Sequence, residues 1–221
     1  MIITLLLCLI VPISIYLCLI LIENIPLTLF VYQVLICLFI PIIDIVYLKK
    51  KSFKNYLLEI GFRKLKKNLL PSFITGTVFT ISIYLIFSLV VVNFINIEDF
   101  KLVLKGLDID PNYQYLFMFS MIISNSLFEE IYWRGYIFNR LKSRTSNIYS
   151  IFISSLFYAS YHFITTAMLF PINLAIIFTF IVFCAGLLWG FMRNKFDSIY
   201  FPVITHLFAD LGIMLIYIKL L

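Results

Sequence analysis

The sequence predicts an all-α protein, a polytopic bundle of about seven transmembrane helices. Three observations carry that prediction. Of 221 residues, 63% are hydrophobic and only 13% charged, where a soluble domain carries roughly 25% charged residues. The apolar residues fall in long runs, of the ~20 residues that a helix needs to cross a bilayer. The runs also lack the polar/apolar alternation of a membrane strand, which excludes a closed barrel, the other structure that satisfies its own backbone in lipid.

The expected spans are 2–22, 27–48, 70–95, 113–137, 147–166, 171–192 and 199–218. The first lacks a basic leading region and a small-residue cleavage site, so it reads as a retained span. Glu23-Asn24-Ile25-Pro26 forms the first turn. Segment 49–67 is the most basic stretch, and Phe53, Tyr56, Leu57 and Ile60 recur in it at helical spacing. It reads either as an amphipathic helix on an anionic leaflet or as a solvated loop. Pro71, Pro171 and Pro202 are placed near helix starts, where proline is tolerated. Cys8, Cys18, Cys37 and Cys184 lie in apolar runs without CxxC spacing. They read as packing residues, with neither a disulfide framework nor a cysteine metal site. No repeat or low-complexity linker divides the chain. It is one structural domain, in which 1–57 gives N-terminal helices and a basic loop, and 58–221 the core.

The net charge of +6 is best explained by side of the membrane, not by nucleic acid. Segments 49–67, 138–146 with Arg134, and 193–198 hold 8, 4 and 2 of the 17 basic residues. Lys and Arg favour cytoplasmic loops. The opposite loop, 96–112, carries Glu98, Asp99, Asp108 and Asp110. The expected topology is a cell-membrane protein with a cytoplasmic N-terminus and an outside C-terminus.

Charged side chains deep in a span cost a few kcal/mol, roughly 2.5–3.5 on insertion scales, so each is a functional hypothesis. Three clusters stand out. Glu129-Glu130-Ile131-Tyr132-Trp133-Arg134 lies near the end of the fourth span. Adjacent Glu residues point about 100° apart on a helix, so they are expected to serve different roles. Glu130 pairs with Arg134 at i,i+4, which leaves Glu129 free to face an interior cavity. Span five places Tyr158 one turn before His162 on the same face, and span seven places His206 one turn before Asp210. Each has a structural reading as well: an interfacial helix end, a packing histidine, a polar helix contact.

The chain has two His, and both lie in spans. A carboxylate can take a proton from water, and His can hold that water and protonate a leaving amine. A second His with a polar partner can stabilise an oxyanion. Those are the parts of peptide-bond hydrolysis. Ser or Cys nucleophile schemes fit less well: there is no GxSxG elbow and no HExxH helix. Gly186 and Gly190 form a GxxxG suited to close helix packing.

The ordered set Glu129-Glu130-xxx-Arg134, Tyr158-xxx-His162 and His206-xxx-Asp210 resembles the CPBP family, the CAAX proteases and bacteriocin-processing or Abi enzymes. Leu58-Glu59-Ile60-Gly61-Phe62-Arg63 is also similar to a family segment. Tyr158 stands where the family usually has Phe, and Asp210 where it has Asn or Asp. The resemblance implies an intramembrane endopeptidase acting on a membrane-proximal peptide or protein, with its site open to the cytosol. It implies Glu129 and His162 as the pair that activates water and His206 with Asp210 as oxyanion stabilisers. Glu130, Arg134 and Tyr158 would shape the site. An ionised Asp210 cannot donate to an oxyanion, so it must be protonated, orient His206 or bind a metal. A metal-free mechanism is preferred; zinc held by Glu129, His162 and His206 is the alternative. By residue count Glu129 and His206 lie roughly 10 Å inside the cytoplasmic face and His162 roughly 20 Å, a mismatch the fold must resolve.

Competing readings are a non-catalytic immunity or regulatory protein that binds a peptide or membrane partner, and an ion or proton carrier. No inverted halves support the carrier. The expected partners are the bilayer and a peptide substrate, with no nucleic acid. The substrate's identity and the oligomeric state are not legible.

Overall fold

A computed structural model describes residues 1–107 and 109–220. Asp108 of the expected acidic loop lies outside the described residues. The helices are α1 (Ile2–Leu21), α2 (Ile25–Leu48), α3 (Phe53–Ile60), α4 (Leu65–Leu89), α5 (Ile97–Gly106), α6 (114–142), α7 (Asn147–Leu169), α8 (Ile172–Phe196) and α9 (Tyr200–Leu220). Short polar side chains start several of them by accepting from otherwise unpaired N–H groups. Asn24 accepts from Leu27, Ser52 from Asn55, Asn96 from Glu98, and Ser146 from Tyr149.

Among the described residues, α1, α2, α4, α7, α8 and α9 are long and apolar enough to cross a membrane. Leu70, Phe73, Ile74, Val78 and Ile81 on α4 stay exposed, as a helix facing lipid requires. The chain is a polytopic helical bundle. The fourth expected span falls on α6, which is not among the six. Asn125, Glu129, Glu130 and Arg134 make it too polar, and it is buried without a break from Glu129 to Phe138. A helix buried all round is wrapped by protein. Turns of α6 open to π geometry at Ser120–Asn125 and Ile131–Ile137, on either side of the two Glu.

Small residues set the closest approaches. α4 runs along α9, where a Cβ on Gly212 would meet the Thr80 carbonyl oxygen at 3.1 Å. α7 runs along α8, where Gly186 faces Ser155 and Gly190 faces Ile151, as the GxxxG spacing predicts. One core gathers around Trp133, Tyr158 and Trp189. A second, with Phe87, Phe100, Leu104 and Met214, lies under α5.

Three expectations need correction. The amphipathic segment does form a helix, α3, but Tyr56 and Ile60 are buried against the bundle. Gly135 makes room for Ile60, so Tyr56 and Ile60 pack on protein while Phe53 of the same stripe stays exposed. Burial without a partner pushes the Tyr56 hydroxyl up to about 12. α4 begins at Leu65, so Pro71 lies inside it and not at its start. The basic residues Lys66 and Lys67 simply continue the helix beyond the apolar run. Part of the expected loop 96–112 is helical, because Phe100 and Leu104 find an apolar surface to cover.

The turns at one end are tied together. Gly61 closes α3 at φ 111°, a left-handed conformation that disfavours a Cβ. Its carbonyl accepts from the Ile199 N–H at 3.0 Å. Arg63 Nη2 donates to Asp197 Oδ1 at 2.7 Å, and Lys64 Nζ to Oδ2 at 3.2 Å. Burial alone would raise the Asp197 carboxyl. The adjacent Lys64, Arg63 and Arg193 cations override it and hold the group below the usual carboxylate range.

Candidate active site

α6 supplies Glu129, Glu130 and Arg134, α7 supplies Tyr158 and His162, and α9 supplies His206 and Asp210. Glu130 Oε1 accepts from Arg134 Nη1 at 2.9 Å, the expected i,i+4 pair, and lies 3.0 Å from His206 Nδ1. The other imidazole nitrogen, Nε2, lies 3.4 Å from the Tyr158 hydroxyl, 3.6 Å from Asp210 Oδ2 and 3.8 Å from Glu129 Oε2. Three carboxylates from two helices thus surround one ring.

The two Glu lie on different sides of one imidazole, Glu130 at Nδ1 and Glu129 toward Nε2. They converge on His206 from different sides, because the ring offers its nitrogens in two directions. Glu130, and not Asp210, makes the closer contact that orients the imidazole. Glu129 Oε2 is buried and has no hydrogen-bond partner among the described residues.

The packing around this cluster is aromatic. Trp189 stacks on His206 with ring centroids 4.5 Å apart, and Tyr158 meets it edge-on. The Arg134 guanidinium lies 4.2 Å from the Tyr158 ring centroid and donates from Nη2 to the Gly186 carbonyl at 3.4 Å. Glu129, Glu130, Arg134 and His206 are each at most 3% exposed. Charge interactions in such a site are worth several times their value in water.

The depth mismatch is resolved through Tyr158. That residue, not His162, is the point where α7 meets His206. His162 sits one turn further on, half-buried. Its Nδ1 lies 2.9 Å from the Tyr158 carbonyl, to which it can only donate, and its ring lies against Tyr161 and Tyr158. His162 makes no hydrogen bond to Glu129, His206 or Asp210 among the described residues. Its Nε2 is left as the free ring nitrogen.

Sequence reasoning missed a polar chain behind Asp210. Gln33 Nε2 on α2 donates to Asn125 Oδ1 at 3.1 Å, and Asn125 Nδ2 donates to Asp210 Oδ2 at 3.1 Å. Gln33 and Asn125 are 3% and 8% exposed. The signal was present: each is an amide inside an apolar run, the same criterion that singled out Glu129.

The zinc alternative requires Glu129, His162 and His206 to converge. Among the described residues no three His, Cys, Asp or Glu come together as metal ligands would. The two Nδ1 atoms are held by the Tyr158 carbonyl and by Glu130, which leaves each Nε2 as the nitrogen open to a ligand. No step below is routed through a metal.

Residues 111–212 match the family model described as Type II CAAX prenyl endopeptidase Rce1-like. This stretch is similar to that family. It is a little under half of the chain and holds every candidate residue from Glu129 to Asp210. The Rce1-like match agrees with the CPBP resemblance and points to a CAAX-type protease in general. Gln33, which reaches the site from α2, lies before the Rce1-like stretch. No curated protein and no solved structure matches the chain.

Proposed function

We propose that this protein is an intramembrane endopeptidase that hydrolyses a peptide bond in a membrane-proximal peptide or protein. Glu129 takes the proton of the attacking water while His162 holds that water at its free Nε2, and the proton taken up by Glu129 then passes by way of that Nε2 to the leaving amine. His206, held through Nδ1 by Glu130, faces the oxyanion with Nε2, assisted by the Tyr158 hydroxyl. Asp210 accepts from Asn125, so it serves as a counter-charge to His206 and not as a donor.

The observation that carries this reading is the arrangement at His206. A buried, unpartnered carboxylate oxygen of Glu129 stands beside an imidazole fixed by a second carboxylate. Buried polar atoms are ordinarily satisfied, and a reacting water or peptide would satisfy this one. The Rce1-like match supports the same reaction class. The basic segments support a cell-membrane protein with a cytoplasmic N-terminus, an outside C-terminus and a site open to the cytosol.

The test compares membrane peptides from cells carrying the intact chain with those from cells carrying Glu129→Ala, both shown to insert. Products present only with the intact chain support the reading. The competing reading, a non-catalytic immunity or regulatory protein, takes its place if the phenotype persists in Glu129→Ala with no difference in peptides.

A further inference from the structure

A cavity of about 200 Å³ opens beside α6 and shares no residue with the His206 cluster. Lys49, Glu59 and Arg140 line it with charge, and Ile45 and Tyr136 give it an apolar wall. It forms where two basic segments of the sequence, 49–67 and 138–146, come together.

The charges there do not balance. Asp44 Oδ2 accepts from Lys49 Nζ and from Arg140 Nη1, each at 2.8 Å. The Glu59 carboxylate is taken by Lys51 at 2.5 Å. Lys49, Lys51 and Arg140 therefore answer to two carboxylates, leaving one positive charge in excess. Donors remain as well. The Arg140 side-chain bonds to Asp44 and to the Tyr136 hydroxyl both use Nη1, which leaves Nη2 for a ligand. The Lys49 ammonium has three N–H groups, and the side chain that carries it is 39% exposed. A guanidinium with Nη2 to spare beside an ammonium is a combination suited to phosphate.

We propose that this cavity binds a phosphate group, supplied by the headgroup of an anionic phospholipid. The apolar wall and the position at the polar end of α2 favour the lipid source, since a headgroup phosphate arrives with hydrocarbon attached. The exposed Lys50 and Lys54 lie close by in sequence and add attraction to an anionic leaflet.

The test uses the full chain in detergent, titrated with phosphatidylglycerol, with phosphatidylcholine and with inorganic phosphate. Bound lipid is read by native mass spectrometry and the phosphate arm by thermal shift. Lys49→Gln keeps the Asp44–Arg140 pair and so preserves the fold; Lys54→Gln removes a charge outside the cavity. The expected result is tighter binding of phosphatidylglycerol than of phosphatidylcholine, weakened about fivefold by Lys49→Gln and little changed by Lys54→Gln. Equal binding of the two lipids, or equal losses in the two variants, overturns the site. A Lys49-dependent shift with inorganic phosphate but no lipid binding keeps the phosphate assignment and overturns the lipid source.

Discussion

His206 Nδ1 lies 3.0 Å from Glu130 Oε1, the oxygen that also accepts from Arg134 at 2.9 Å. A carboxylate shared in this way keeps a proton on Nδ1 and turns Nε2 toward Glu129, Asp210 and Tyr158. Two adjacent residues of α6 therefore act on one ring in different capacities. Glu130 meets it at Nδ1, and Glu129 lies on its Nε2 side. Glu129→Gln preserves the volume and removes the proposed base. It is expected to lower proteolysis by about 10²–10⁴-fold, read from the accumulation of the peptides that the intact chain produces.

Arg134→Ala leaves Glu130 buried and without its cation. Breaking a buried pair from one side costs about 3–5 kcal/mol, so the variant should unfold at a much lower temperature in detergent. Arg134→Lys restores a charge but not the second bond to Gly186 or the guanidinium face against Tyr158. It should fall between the two in a thermal melt.

Asn125→Asp places a second carboxylate against Asp210 and should reduce both stability and cleavage. Adding Asp210→Asn restores a donor–acceptor pair across the same gap. The double variant should recover stability by about 1–3 kcal/mol over Asn125→Asp alone, measured by denaturation in detergent. Recovery of stability without cleavage would show that the charge must sit on α9.

Gly212→Ala and Gly106→Ala make a matched pair. A Cβ at Gly212 meets the backbone of Thr80, which cannot rotate away, whereas one at Gly106 meets nothing. The first should cost about 1–3 kcal/mol by overpacking. The second should be neutral or slightly stabilising, since alanine is the better helix former. Thermal melts of the two variants check this.

Asp197 gives the acid dependence a sign. Its carboxyl lies below the usual range because Lys64, Arg63 and Arg193 outweigh its partial burial. A depressed carboxylate contributes stability that is full above its unfolded value and is lost as pH falls through the folded one. The tie between the α3–α4 and α8–α9 turns should loosen below about pH 4. Asp197→Asn, which tolerates the left-handed backbone at φ 52°, should flatten that part of the pH profile.

Much of this architecture could be read from the chain. The apolar runs gave α1, α2, α4, α7, α8 and α9, because length and hydropathy alone decide a span. The i,i+4 spacing gave the Glu130–Arg134 pair, because both groups sit on one helix. What could not be read was which faces of different helices meet. The contact of Glu130 with His206 depends on the angle between α6 and α9, and that of Tyr158 with His206 on the depth of α7. Local spacing carries neither. α3 was ambiguous for a related reason: an apolar stripe on a short helix looks the same whether it rests on lipid or on Gly135.

The amide of Gln33 reaches the site from the second helix of the chain, and other groups of α6 lean on the same region. Trp133 Nε1 donates to the Tyr32 hydroxyl, and the Tyr132 hydroxyl donates to the Leu7 carbonyl. A shortened version starting after residue 57 would strip these partners away and set bare indole, phenol and amide groups against acyl chains. Engineering a minimal catalytic fragment from the Rce1-like stretch alone should therefore fail at the folding stage. The first two helices are walls of the buried polar cluster as much as anchors.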